Sequence, residues 1–198
     1  MSKIDSDTKL ILASSSPFRK RLLGQLGIHF QSINPNVDES PLPNEPPKLL
    51  VRRLAIAKAN AVLKQSPTNL IIGCDQVAEH NDRPIGKPRD HNDAINQLLS
   101  SSGKTVTLYT GIALLNAKNG NLQSDVIPYQ VRFRTLTKET IERYLEKDKP
   151  YGCCGSLRAD GLGIALLDQL SGQAPTALIG LPLTVLVTML ENEGFHVV

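Results

Sequence analysis

The chain's 198 residues suit one domain, or two tightly joined lobes acting as one unit over 1–198, and are enough to bury a real core. Its 40% hydrophobic and 21% charged content is ordinary for a globular protein, and no apolar run approaches the roughly 20 residues of a membrane span. A net charge of +3, with four Phe, four Tyr and no Trp, lacks the basic stripe and stacking aromatics of a nucleic-acid binder, so a small anionic ligand fits better than a polymer. The N-terminal Met1–Thr8 is polar and has no signal-peptide core, and the three cysteines make neither a disulfide framework nor a zinc spacing. A cytoplasmic location is expected.

Residues 9–13 read as a buried strand that runs into three serines. Pro17 then opens a helix predicted over 17–26, stopping at Gly27, with Ser16 as its N-cap. Such a helix start presents unpaired N–H groups to an anion, and Arg19 and Lys20 add charge; a capped helix with a solvated basic face is the plainer reading. A second strand is expected at 28–33, then a proline-rich loop from Asn34 to Pro47 that carries Asp38 and Glu39. Apolar residues at 50, 51, 54, 57, 61 and 62 predict a helix over Lys48–Lys64, with Lys58 inside its core-facing stripe.

Leu70–Val77 reads as a strand, with Asp75 near its C-terminal end, followed by a turn-rich passage holding Pro84, Gly86, Lys87 and Pro88. A helix follows at 91–101. Long β runs at Thr105–Leu115 and Asp125–Phe133 flank a hairpin spacer, Asn116–Asn121. Ser102-Gly103-Lys104-Thr105 imitates the end of a phosphate-binding loop. It lacks the glycine five residues earlier and is followed by a strand, so Gly103 reads as a helix cap. A helix near 137–147, a glycine-rich stretch Cys154–Gly163 leading into Ile164–Leu167, and a last helix at 182–192 complete an α/β chain with a mixed sheet.

Several side chains invite chemistry. Asp75 ends an apolar strand, where α/β proteins gather ligands and where a buried carboxylate needs a partner or a metal; it reads also as a satisfied turn aspartate. Glu39 and Asp75 together suit Mg²⁺ completed by phosphate and water, while two solvated acids are the simpler account. Lys58 either snorkels outward or meets phosphate in a cleft, and Lys87 sits on a stiff turn. Asp160 lies among the glycines at 155, 161 and 163, in a segment that permits close approach to a ligand or serves as a plain turn.

Taken in order, Ala13-Ser-Ser-Ser-Pro-Phe-Arg19, Val37-Asp-Glu39, Ala57-Lys-Ala59, Gly73-Cys-Asp-Gln76, Gly86-Lys-Pro88 and Gly155-Ser…Gly161-Leu-Gly163 resemble the Maf family of nucleotide pyrophosphatases from about Leu10 to the C-terminus. That resemblance implies a two-lobed fold, like that of Maf and inosine triphosphatase proteins, with an elongated mixed sheet flanked by helices and a central cleft. It implies hydrolysis of a nucleoside triphosphate to the monophosphate and pyrophosphate with a divalent cation, Mg²⁺ or else Mn²⁺ or Co²⁺. By the same resemblance Asp75 is the proton acceptor, supported by Lys58 and Lys87. Ser14 and Arg19 bind phosphate, Glu39 and Asp75 hold the metal, and Phe18, Gln76 and Asp160 select the base.

The family's pyrimidine branch tends to have threonine after the catalytic aspartate and glutamine in the later loop. Gln76 and Asp160 instead resemble the branch acting on 7-methyl-GTP. N7-methylation makes guanine cationic, so a carboxylate at 160 can balance its charge and accept from N1–H and the amino group, while an aromatic at 18 can stack on it. Two departures stand out, Phe18 and Asp160, where that branch usually carries tryptophan and glutamate. The rival readings are a dTTP and UTP pyrophosphatase, and a non-enzymatic nucleotide-binding regulator of cell division, suggested by the family's association with septum formation. A homodimer would be usual for such a fold.

Overall fold

The computed structural model describes residues 9–80 and 83–198, so the polar Met1–Thr8 segment and two positions of the turn-rich passage lie outside the described residues. In chain order the elements are β1 (Leu10–Ala13), α1 (Pro17–Gly24), β2 (Phe30–Ile33), α2 (Pro47–Ala61), β3 (Leu70–His80), β4 (Arg83–Ile85), α3 (His91–Ser101), β5 (Thr105–Asn116), β6 (Leu122–Phe133), α4 (Lys138–Asp148), β7 (Leu167–Ser171) and α5 (Leu183–Asn192). Short 3₁₀ turns occupy Cys154–Ser156, Leu162–Leu166 and Pro175–Ile179. Among the described residues no helix is long and apolar enough to cross a membrane.

One mixed sheet runs β2-β1-β3-β5-β6-β7, with β4 also paired to β3. β1 lies parallel to β2 and β3, whereas β3, β5, β6 and β7 alternate in direction. Two core clusters form at opposite ends of the long strands. One packs α1 and α5 on β1 and the start of β3, through residues such as Leu23, Ile72 and Leu186. The other packs α3 and α4 on β5 and β6, through Leu98, Val131 and Ile141. The mixed α/β architecture expected from the sequence is therefore present.

Several predicted boundaries change. α1 stops at Gly24 rather than at 26, and β3 runs on to His80, so Asp75 lies in mid-strand rather than at the strand's C-terminal end. Pro84 sits in a three-residue strand rather than a turn; proline has no N–H to donate, and a short edge pairing with Glu79 tolerates that. Residues 162–166 coil into a 3₁₀ turn, and the strand begins only at Leu167; it is an edge strand with one buried residue, too one-sided to show alternation. In α2 the buried residues are Pro47, Leu50, Val51, Leu54, Ala55, Lys58 and Ala59, while Ala57 is half-buried and Ala61 is exposed. Lys58 is thus more central to the buried face than the apolar spacing alone suggested.

Candidate functional site

The site begins as a gap in hydrogen bonding along one edge of β3. That edge pairs with β1 through Gly73 and with β4 from Ala78, whereas β5 pairs the other edge continuously from Leu70 to Glu79. Residues 74–77 therefore face an opening where β1 ends and the chain turns into the serines and α1. Alternation sends Asp75 and Gln76 to opposite faces of the sheet at this opening. A cavity of about 690 Å³ lies here, within the roughly 300–1,000 Å³ usual for small-molecule sites. Its walls include Ser14, Phe18, Arg19, Glu39, Lys58, Asp75, Gln76, Lys87 and Asp160, so the fold brings every predicted site residue to one cleft.

α2 reaches this cleft because two glycines let it lie against the sheet. A Cβ at Gly73 would stand 2.0 Å from the Ala55 carbonyl oxygen, and one at Gly111 would stand 2.2 Å from that of Val51. Val51, Ala55 and Lys58 share one helical face, so this close contact carries the Lys58 ammonium over Asp75. Lys58 Nζ lies 2.5 Å from Asp75 Oδ1 and 2.7 Å from Glu39 Oε1, bridging the two carboxylates. Its side chain is 5% exposed and that of Asp75 10%, while that of Glu39 is 55% exposed.

Burial raises the Asp75 carboxyl above its ordinary value, against the opposing charges of Lys58 and Arg19. Glu39 goes the other way. Burial pushes it up, but the Lys58 hydrogen bond and the Lys58, Lys87 and Arg19 charges outweigh that and hold it below its usual value. Two acids joined by one ammonium are therefore driven apart, and the buried one is the better proton acceptor.

Phosphate-directed groups come from the turn after β1. Ser14 is buried; its Oγ accepts from Ser16 N at 3.1 Å, and Arg19 Nη1 stands 3.5 Å away. Ser16 caps α1 with its side chain, and Pro17 is the first helical residue, as predicted. Arg19 donates through Nε to the Gly180 carbonyl at 2.9 Å, which anchors the guanidinium by one edge at the cavity wall. Lys87 is exposed at the rim.

The three residues expected to meet a base are all present, with partners the sequence did not reveal. Gln76 Nε2 donates to the Ala177 carbonyl at 2.7 Å and to Thr110 Oγ1 at 3.0 Å. Asp160 is paired with Arg21 Nη2 and lies 3.7 Å from Arg158 Nε. The Phe18 ring is faced by both guanidiniums, Arg21 at 5.9 Å and Arg158 at 5.7 Å. The cation expected from a ligand is thus matched by the protein's own side chains. Arg158, held by Asp148 at 3.0 Å, is a site residue that the motifs do not single out; the turn closed by Gly161 N–H on the Arg158 carbonyl brings it beside Asp160.

Two of the cysteines hydrogen-bond to backbone carbonyls, and Cys153 and Cys154 line the cavity. Cys74 Sγ donates to Gly180 O at 3.0 Å and Cys154 Sγ to Gln76 O at 3.1 Å, the latter covering a carbonyl in the unpaired stretch of β3. Burial raises all three thiols, Cys154 to about 11, which favours their protonated form. Among the described residues, no group of three or more His, Cys, Asp or Glu side chains gathers to hold a metal. Glu39 and Asp75 still fit a hard divalent cation that takes one or two protein carboxylates and completes its shell with phosphate and water.

Residues 9–193 match the family described as Maf-like protein. A 7-methyl-GTP pyrophosphatase of Nitrosococcus oceani is 49% identical over 188 residues, spanning 95% of this chain and 94% of that protein. Another of the same name, from Aliivibrio fischeri, is 45% identical over 190 residues, 96% of this chain and 98% of that one. The solved structure of the Staphylococcus aureus Ham1 protein aligns with a TM-score of 0.55 at 15% identity, over 94% of this chain and 100% of that one; this likeness concerns the fold alone.

Proposed function

The chain belongs to the Maf family, and from that premise we propose that it hydrolyses 7-methyl-GTP to 7-methyl-GMP and pyrophosphate. The observation that carries the reading is the buried Lys58–Asp75 pair, joined by Glu39, in a cleft that Arg19 and Lys87 also line. Mere binding of a nucleotide does not require a carboxylate held in a low-dielectric wall beside cations. Attack of water at the α-phosphorus does.

In the proposed reaction Asp75 takes the proton from the attacking water, the bond from the α-phosphorus to the bridging oxygen breaks, and pyrophosphate leaves. Arg19, Lys58 and Lys87 balance charge growing on the phosphoryl oxygens, and Ser14 adds a hydroxyl donor. Phe18, Gln76 and Asp160 select the base. A divalent cation, Mg²⁺ or its substitutes Mn²⁺ and Co²⁺, belongs to the proposal: held by Glu39, Asp75 and the triphosphate, it would supply charge neutralisation. A cytoplasmic location suits the nucleotide substrate, and a homodimer is the assembly proposed.

The test is pyrophosphate release from purified protein with Mg²⁺ or Mn²⁺ across 7-methyl-GTP, GTP, dTTP, UTP and CTP, beside Asp75→Asn. Selective turnover of 7-methyl-GTP, abolished in the variant, is expected. Preference for dTTP or UTP would keep the chemistry and overturn the base assignment. No turnover of any nucleotide would favour a binding protein.

A further inference from the structure

Thr110 sits on β5 directly opposite Gln76 of β3 and is fully buried, on the sheet face away from Asp75. Its Oγ1 donates to the Ala177 carbonyl at 2.9 Å and accepts from Gln76 Nε2 at 3.0 Å. Nε2 also donates to Ala177 O at 2.7 Å, with Leu178 O further off at 3.4 Å. Carbonyl oxygens only accept, and the Thr110 proton is already committed. The amide nitrogen must therefore face Thr110 and the 175–179 turn, which leaves Oε1 as the acceptor that Gln76 offers to the cleft.

We propose that Thr110 is a positioning residue for base selection, locking the Gln76 amide so that its oxygen, with the Asp160 carboxylate, presents acceptors to the base. The inference rests on the function proposed above. An edge lined by acceptors suits guanine, whose N1–H and amino group donate, and opposes the O2 and O4 carbonyls of uracil. Valine at 110 keeps the shape and removes the hydroxyl; one Nε2 hydrogen is then left with only the more distant Leu178 carbonyl, at 3.4 Å, and the side chain swings toward water in the cleft.

The experiment measures kcat/KM for 7-methyl-GTP and UTP with wild type, Thr110→Val and Thr110→Ser. The ratio should fall about three- to tenfold in Thr110→Val, the size of one hydrogen bond, mainly through KM, and recover in Thr110→Ser. In a Gln76→Ala background, Thr110→Val should leave the ratio where Gln76→Ala puts it. An unchanged ratio in folded Thr110→Val, or a further fall in the double variant, overturns the proposal. Should Thr110→Val not fold, the wild-type protein decides: the Gln76 side-chain amide protons, identified by their loss in Gln76→Leu, should exchange slowly with solvent, and rapid exchange overturns it. Wild type that hydrolyses no nucleotide would instead sink the functional reading, with amide exchange still testing the positioning.

Discussion

Lys58 serves two carboxylates of unequal burial, and the inequality has opposite consequences for the two ends of the pair. Asp75→Asn leaves the ammonium bonded to the half-exposed Glu39, whereas Lys58→Met leaves Asp75 buried without its nearest cation. Because folding raises the Asp75 pKa, its favourable contribution is complete below the unfolded carboxylate value, about 3.9, and is lost as pH rises through the folded value. Asp75→Asn should therefore melt higher than wild type at pH 7 and no higher below pH ~3.5. A lower midpoint at pH 7 would mean that pairing outweighs burial. Lys58→Met should lose about 3–5 kcal/mol at pH 7, read by urea titration, as expected for breaking a buried pair from one side.

At the scale of elements, the contact of α2 with β3 and β5 decides whether Lys58 reaches Asp75. Gly73→Ala places a methyl where the Ala55 carbonyl oxygen now lies, so the helix must lift. A stability loss of about 1–3 kcal/mol is expected, with pyrophosphatase activity falling further than folding accounts for. Gly24→Ala is the control, since a Cβ there meets nothing within 4 Å, and it should leave both unchanged. Equal activity in the two variants would detach the helix contact from the site. The sequence announced α2 and its buried lysine, but not the two glycines as its seat. A glycine inside a strand reads equally as a bulge or as a close approach until the partner helix is known.

Across the whole molecule, the cleft lies between two core clusters that one sheet joins, and its walls come from both ends of the chain. Nucleotide bound there should stabilise both core clusters together. With Asp75→Asn to prevent turnover, 7-methyl-GTP at a hundredfold excess over Kd should add about 2.7 kcal/mol, a midpoint rise of roughly 5–11 °C for a chain of this size. Hydrogen exchange should slow in α1 and also around Cys153–Asp160. Protection confined to one of these two segments would mean that the ligand does not bridge the cleft.

Fold class, most elements and the nine candidate residues were legible in the sequence, because period, capping and turn chemistry are local properties and because motif order survives along the chain. Ser16 and Pro17 mark α1 by themselves, and Lys58 betrays itself by charge within an apolar stripe. Partnerships were not legible. That Lys58 bridges Glu39 and Asp75, that Arg158 faces Phe18, and that Thr110 holds Gln76 all depend on residues up to 140 positions apart meeting across strands and loops. Edge strands share this limit: β4 is only three residues long and β7 has one buried residue, too little to impose alternation. The sequence by itself determined which chemical groups the protein carries and on which elements. Only the tertiary structure decided which of them share a hydrogen bond, because burial and electrostatics act through space and leave no period in the chain.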